Sequence, residues 1–328
     1  MDIVESAATD LRHIAPLVRQ SPSAVAVLIP CYNEAGAIAD VVSRFRAALP
    51  HACVYVYDNN SDDDTAAVAA AAGAVVRHEP LQGKGNVVAR MFADIDAEVY
   101  VLVDGDGTYD PAAAPRLIAH LWERRLDLVN GARLGAHRRR GHRFGNMLFN
   151  VIVGWVFGAR FDDMLSGYKV LSRRFVKSFP ALANGFEIET ELTVHALRLR
   201  MPVAELPTRY GSRPAGSASK LRTLRDGWRI LRAILVLVKG ERPLAFFSAV
   251  FVLLATLSLA LAAPVAVTYV ETGLVPRLPT AVLATGTMLL AFSSLACGLI
   301  LDTVTRGRTE MKRLFYLGLA APGTRDEP

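Results

Sequence analysis

Two carboxylates one residue apart, Asp104-Gly105-Asp106, are the residues of this chain whose type and spacing most plainly serve chemistry. Oxygen ligands of this kind suit Mg²⁺ or Mn²⁺, which sits between one or two carboxylates and the phosphates of a substrate. Three further groups have the same potential. Asp58 either accepts hydrogen bonds from a base or ribose or caps the helix after it. Asn33-Glu34 either contacts a nucleotide or starts a helix, and Lys84, between Gly83 and Gly85, either reaches a diphosphate or lies in an exposed loop. Basic residues cluster at 133–143, 209–232 and 306–313, and the net charge is +6, so the partners sought are acidic: nucleic acid, anionic lipid or a phosphorylated substrate.

Positioning such residues takes regular elements. Apolar or β-rich runs at 24–29, 52–57, 74–77, 99–103 and 128–132 alternate with helical patterns at 35–49, an alanine-rich stretch ending at residue 72, and 86–95. The alternation predicts parallel βαβ units, with ligands bound off the carboxyl ends of the strands. Asn33-Glu34, Asp58 and Asp104-Gly105-Asp106 each directly follow a strand, so three distant segments meet at one rim. No Gly-x-Gly-x-x-Gly follows the first strand, and Gly83-Lys84-Gly85 is not a P-loop. Both absences argue against a dinucleotide oxidoreductase or a P-loop NTPase.

The 52% hydrophobic content is concentrated after residue 239. Stretches 243–270 and 278–301 carry no charge, and each exceeds the roughly 20 residues that cross a hydrocarbon core as a helix. The short linker 271–277 makes them a hairpin. Lys239 and Arg242 precede it, Arg306, Arg308, Lys312 and Arg313 follow it, and Arg277 is the linker's one cation. The positive-inside rule then places both ends, and the N-terminal domain, in the cytoplasm. Leu224, Trp228, Leu231, Ile234, Leu235 and Val238 recur at helical spacing, with Arg225, Arg229 and Arg232 interleaved. Such a helix lies in the membrane interface, or is a core helix with a basic edge. Cys31, Cys53 and Cys297 show no metal-ligand spacing and fit a reducing compartment. Asp2, Glu5 and Asp10 argue against a cleavable signal peptide.

Pro30-Cys31-Tyr32-Asn33-Glu34, Asp58-Asn59-Asn60-Ser61, Gly83-Lys84-Gly85-Asn86 and Asp104-Gly105-Asp106, in that order and spacing, resemble glycosyltransferase family 2. Within it the chain is most similar, over 25–239, to the dolichol-phosphate mannosyltransferase-like, polyprenyl-phosphate glycosyltransferase branch. The resemblance implies an α/β GT-A fold, Rossmann-like with a mostly parallel sheet, followed by the interfacial helix and the two-helix transmembrane hairpin. It implies the boundaries 1–22 for an N-terminal extension, 23–222 for the GT-A domain and 223–242 for the amphipathic interfacial helix. Two transmembrane helices follow within 243–305 (about 244–270 and 278–301), then a basic cytoplasmic tail at 306–328.

By the same resemblance, Pro30, Tyr32, Glu34, Asp58 and Asp104 hold a UDP- or GDP-linked sugar, and Asp104 and Asp106 hold Mg²⁺ or Mn²⁺. Catalysis is expected of Asp104, Asp106, Lys84 and Glu187. Arg133, Arg143, Arg213 and Lys220 bind the phosphate of a lipid acceptor, and the loop 214–219 closes over it. Glu187 and Glu191 share a helix face, and one of them orients the donor sugar; Asp162-Asp163 either holds sugar hydroxyls or caps a turn. Many relatives carry an acidic residue or glutamine soon after the Asp-x-Asp, where this chain has Gly107-Thr108-Tyr109-Asp110. The Gln-x-x-Arg-Trp of processive members is absent, which favours single-sugar transfer. The implied protein is an inverting, metal-dependent enzyme of the inner membrane that transfers one sugar to a polyprenyl phosphate and forms homo-oligomers. Two alternatives stand beside it: transfer to a lipid or glycan hydroxyl, and a non-enzymatic membrane scaffold or nucleotide sensor.

Overall fold

The computed structural model describes residues 23–134, 163–181, 185, 187–211 and 238–322. The first strand, β1 (Ser23–Cys31), explains the core. Ala26 and Leu28 enter one apolar cluster while Val27 and Ile29 enter another, so the strand is buried on both faces and reads as a continuous apolar run. Helix α1 (Ala35–Ala48) covers one face with Ile38, Val41, Val42 and Phe45. Strand β2 (Cys53–Asp58), α2 (Thr65–Ala71) and β3 (Val75–His78) follow, then α3 (Lys84–Asp94), which covers the opposite face through Val87, Val88, Met91 and Phe92. Next come β4 (Ala97–Leu102), a 3₁₀ turn (Pro111–Ala113), α4 (Ala114–Glu123) and β5 (Leu128–Leu134). The domain continues with β6 (Lys169–Ser172), α5 (Arg173–Ser178), α6 (Ile188–Arg198) and β7 (Val203–Arg209).

The sheet order is β3-β2-β1-β4-β6-β5-β7, with β6 alone antiparallel among the described strands. The five expected strands are present. Strands β6 and β7 escape the sequence reading for separate reasons. The first has only four residues and starts with a lysine; the second carries Pro207, tolerated because β7 lies at the sheet edge. Register sets the chemistry. Cys31 pairs with Asp58, Leu28 with Leu102 and Leu102 with Lys169, so the ends of β1, β2 and β4 and the start of β6 share one edge. Asp127, just before β5, and Ser172, which ends β6, lie at the other edge.

Two long helices complete the described chain, α7 (Pro243–Thr272) and α8 (Leu278–Leu317), joined through Gly273 in the left-handed conformation favoured after a helix. Both are long and apolar enough to cross a membrane. They pack against each other, with Ser258 Oγ donating to the Ala284 carbonyl (2.7 Å) and Ser294 Oγ to that of Phe247 (3.1 Å). Residues 306–317, expected as part of a basic tail, instead continue α8 without a break. The reason is tertiary. The Tyr316 hydroxyl donates to Asp127 Oδ2 (2.7 Å), and Arg198 at the end of α6 reaches Thr309 Oγ1 (2.8 Å) and the Thr305 carbonyl (3.1 Å). Residues 223–237 of the expected interfacial helix lie outside the described residues; 238–241 are helical.

Candidate active site

The rim begins where β1 and β2 end side by side. Asn33 takes a left-handed conformation (φ 54°), which asparagine tolerates better than most residues. Its side-chain oxygen accepts from the Asp62 amide (2.8 Å), and the Glu34 amide donates to Thr65 Oγ1 (2.9 Å). The two expected nucleoside segments are therefore sewn to each other, with Pro30, Tyr32 and Glu34 half-buried along the seam. Asp58 is buried. Its Oδ2 accepts from the Ser61 amide (3.2 Å) and lies 3.5 Å from His78 Nδ1. Its Oδ1 has no hydrogen-bond partner among the described residues. A buried carboxylate oxygen left unpaired is costly, and the N–H or O–H of a bound molecule would satisfy it.

Asn59 has a part that motif reading leaves unassigned. Its side-chain N–H groups donate to the carbonyls of Glu79 and Leu81 (both 2.8 Å), and its oxygen accepts from the Gly83 amide (2.7 Å). This clamps the loop ahead of α3. Gly83 sits at φ 133°, a backbone region for glycine, and Lys84 follows as the first helical residue.

Lys84 is not an exposed loop lysine. Its ammonium bonds Asp104 Oδ1 and, at 2.5 Å, Glu189 Oε1. Burial works against its charge, but the carboxylates of Asp104 and Glu189 outweigh that and hold its pKa well above the ordinary lysine value. Asp104 is partly open at the rim, its side chain 31% exposed. Asp106 is buried, and its Oδ1 accepts from the Thr108 amide (3.1 Å) and hydroxyl (2.5 Å). Gly167 backs Asp104 so closely that a Cβ there would lie 2.3 Å from Asp104 Oδ2. No cage of three or more His, Cys, Asp or Glu side chains occurs among the described residues. Two carboxylates, one open at the rim, still fit a hard divalent cation whose remaining ligands are substrate phosphates and water.

On the far side of Asp104, Arg133 is committed to a partner. Its Nε and Nη2 grip Asp163 Oδ2 and Oδ1 (2.6 and 2.7 Å), and its guanidinium packs 5.5 Å from the Tyr210 ring centroid. Asp163 thus orients an arginine, and Asp162 lies outside the described residues. Arg143, Arg213 and Lys220 lie outside the described residues. Of the acidic stretch that opens α6, Glu187 is exposed, whereas Glu189 is buried and meets Lys84. Helical spacing groups Glu189 with Leu192, Thr193 and Ala196, and the fold turns all four inward, a choice of face that spacing alone does not make.

Parallel strands whose carboxyl ends gather an acidic pair, a charged lysine and an unpaired buried carboxylate oxygen define an α/β domain of the nucleotide-sugar-transferring GT-A type. The chain matches the family described as Glycosyl transferase family 2 over residues 26–175. It is 34% identical over 300 residues to glycosyltransferase AglJ of Haloferax volcanii, spanning 90% of this chain and 98% of that protein. It is 27% identical over 237 residues to the dolichol-phosphate mannosyltransferase of Pyrococcus furiosus, 66% of this chain and 64% of that one. Among solved structures, glucosyl-3-phosphoglycerate synthase of Mycobacterium tuberculosis has the same fold (TM-score 0.54, 23% identity, 66% of this chain and 79% of that one). The chain belongs to glycosyl transferase family 2 and is a glycosyltransferase.

Proposed function

We propose that the enzyme moves one sugar, with inversion, from a UDP- or GDP-linked donor to a polyprenyl phosphate at the cytoplasmic face of a membrane. The observation that carries this reading is helix α8. Its first part is apolar and long enough to span a bilayer, and its basic end is hydrogen-bonded into the catalytic domain at Asp127 and Arg198. A transferase held in this way works on an acceptor whose reactive head stays at the membrane surface. Lys239, Arg242 and the cations after residue 305 flank the hairpin, against Arg277 alone in its linker, which favours both ends in the cytoplasm. In a bacterial cell that is the inner membrane, and the hairpin's exposed apolar sides offer a surface for homo-oligomers.

Each residue then has a task. Asp58 accepts from the nucleoside, and Pro30, Tyr32 and Glu34 wall its pocket. Asp104 and Asp106 would hold Mg²⁺ or Mn²⁺, which neutralises charge on a leaving diphosphate when bound. The dolichol-phosphate relative supports the acceptor by its name, and the structural neighbour was solved with Mn²⁺ and UDP-glucose. Lys84 adds a fixed positive charge at the same corner. Arg133, held by Asp163, frames the acceptor side, where Arg143, Arg213 and Lys220 contact the lipid phosphate. A phosphate monoester has a second pKa of about 6, so its oxygen is already anionic at neutral pH and attacks without a general base. The exposed position of Glu187 agrees with that economy.

The test uses the full chain in detergent with Mn²⁺, a panel of UDP- and GDP-sugars, and either a polyprenyl phosphate or the matching polyprenol. Mass spectrometry is expected to find a polyprenyl-phosphate monosaccharide with one donor, lost on Asp106→Asn. Product only with the unphosphorylated polyprenol would replace this reading by a hydroxyl acceptor. Nucleotide binding without turnover of any donor would replace it by a sensor.

A further inference from the structure

Glu189 lies beyond residues 26–175, over which the chain matches the family, yet it is buried and forms a 2.5 Å ion pair with Lys84, the lysine already bonded to Asp104. Isolated buried carboxylates are expensive, so one aimed at a lysine of the rim asks for a purpose. Local structure shows what sets its aim. Helix α6 begins at Ile188, so Glu189 lies in its first turn, where the helix end favours an anion. Thr193 Oγ1 donates to the Glu189 carbonyl (3.1 Å) and accepts from Lys169 Nζ (3.3 Å). Lys169 is wholly buried and also donates to Asn130 Oδ1 (2.8 Å) and the Met164 carbonyl (3.2 Å). The Glu189 backbone is thus tied through Thr193 to the buried Lys169, while its carboxylate meets Lys84.

We propose that Glu189 is a positioning residue of the transfer site: it holds the Lys84 ammonium at Asp104, so that one lysine serves the carboxylate pair and the donor diphosphate together. An ammonium has three N–H donors, and Asp104 and Glu189 take two, leaving one for a phosphate oxygen. Without Glu189, Lys84 has a single anionic partner and a long flexible stem. It then collapses onto Asp104 or turns away, and either outcome weakens a nucleoside diphosphate and its divalent ion. This inference rests on the reading that Asp104 and Lys84 face the donor, and it does not depend on which acceptor is used.

The experiment is a mutant cycle read by binding. In full-length protein in detergent, UDP and GDP affinities are measured by calorimetry with Mn²⁺ present, for wild type, Glu189→Gln, Lys84→Met and the double variant. Mn²⁺ affinity is followed by electron paramagnetic resonance and folding by thermal melts. Glu189→Gln is expected to weaken the preferred diphosphate about tenfold or more, the scale of one charge-assisted hydrogen bond, with its melt near wild type. The double variant should bind no worse than Lys84→Met. Glu189→Asp, which keeps the charge on a shorter stem, should recover part of the loss. Unchanged diphosphate affinity in folded Glu189→Gln overturns the inference, and so do additive losses in the double variant. Failure of both Glu189→Gln and Glu189→Asp to fold overturns it in favour of a purely structural carboxylate. A wild type that binds neither diphosphate is a different result: it refutes the donor reading itself.

Discussion

Two buried ionic clusters sit at opposite edges of one sheet, and their bonding differs in kind. At the amino edge, Asp127 is fully buried and saturated: Ser172 Oγ (2.6 Å), Arg174 Nε and Nη2 (2.6 and 2.8 Å) and the Tyr316 hydroxyl (2.7 Å) all donate to its two oxygens. The Arg174 guanidinium also lies 4.7 Å from the Tyr316 ring centroid. At the carboxyl edge, Asp104 is open at the rim, Lys84 bonds the carboxylates of Asp104 and Glu189, and Asp58 Oδ1 has no partner among the described residues. A saturated cluster holds elements together; an unsaturated one is built to be completed by something else. Helix α6 runs between them. Its first turn brings Glu189 to Lys84, and its last brings Arg198 to Glu241, Thr305 and Thr309.

That contrast can be broken or sharpened by four measurements. The largest effect belongs to Asp127→Ala, which strands Arg174 without its carboxylate. It should cost about 3–5 kcal/mol in denaturant unfolding while donor affinity survives. Lost donor affinity at unchanged stability would erase the distinction between the clusters. Next is Gly167→Ala, whose Cβ would lie 2.3 Å from Asp104 Oδ2. Displacing that carboxylate should lower turnover about a hundredfold with little change in melting, because Asp104 can swing toward solvent. Turnover near wild type would show that Asp104 tolerates a second position.

Tyr316→Phe tests the dock gently. It removes one donor of the several on Asp127, so about 1.5 kcal/mol of stability should go, read as a lower denaturant midpoint. The smallest effect at neutral pH is a slope with pH. Burial, helped by the charges of Lys312 and Arg198, pushes His195 down to about 3 from its ordinary 6.5. Between those values the unfolded chain binds a proton that the folded chain refuses, so stability falls as pH drops from 6.5 toward 3. The contribution is at most about 1.4 kcal/mol per pH unit, and His195→Gln should flatten it.

Much of the donor side is legible in the sequence because strand ends are. Asp58 and Asp104 follow apolar runs directly, and a parallel sheet must bring such ends to one edge. The acidic stretch from Glu187 to Glu191 shows where that reasoning stops. Pairing by helical spacing selects Glu187 and Glu191, but the buried face of α6 selects Glu189, and only packing against α3 says which face is inward. Arg133 is similar: its position near the end of β5 marks it as a cation at the rim, while its commitment to Asp163 depends on a residue 30 positions away.

By itself the sequence determined the strand–helix alternation, the rim motifs and the two apolar segments, because each is a local pattern of side-chain period, turn chemistry or length. Tertiary structure alone decided that β6 runs antiparallel, that Glu189 and not its neighbours meets Lys84, and that α8 continues past the apolar segment to lodge Tyr316 on Asp127. The last two depend on partners 105 and 189 residues apart finding one another in a buried space. Burial is what makes an unpaired charge costly enough to select a single arrangement.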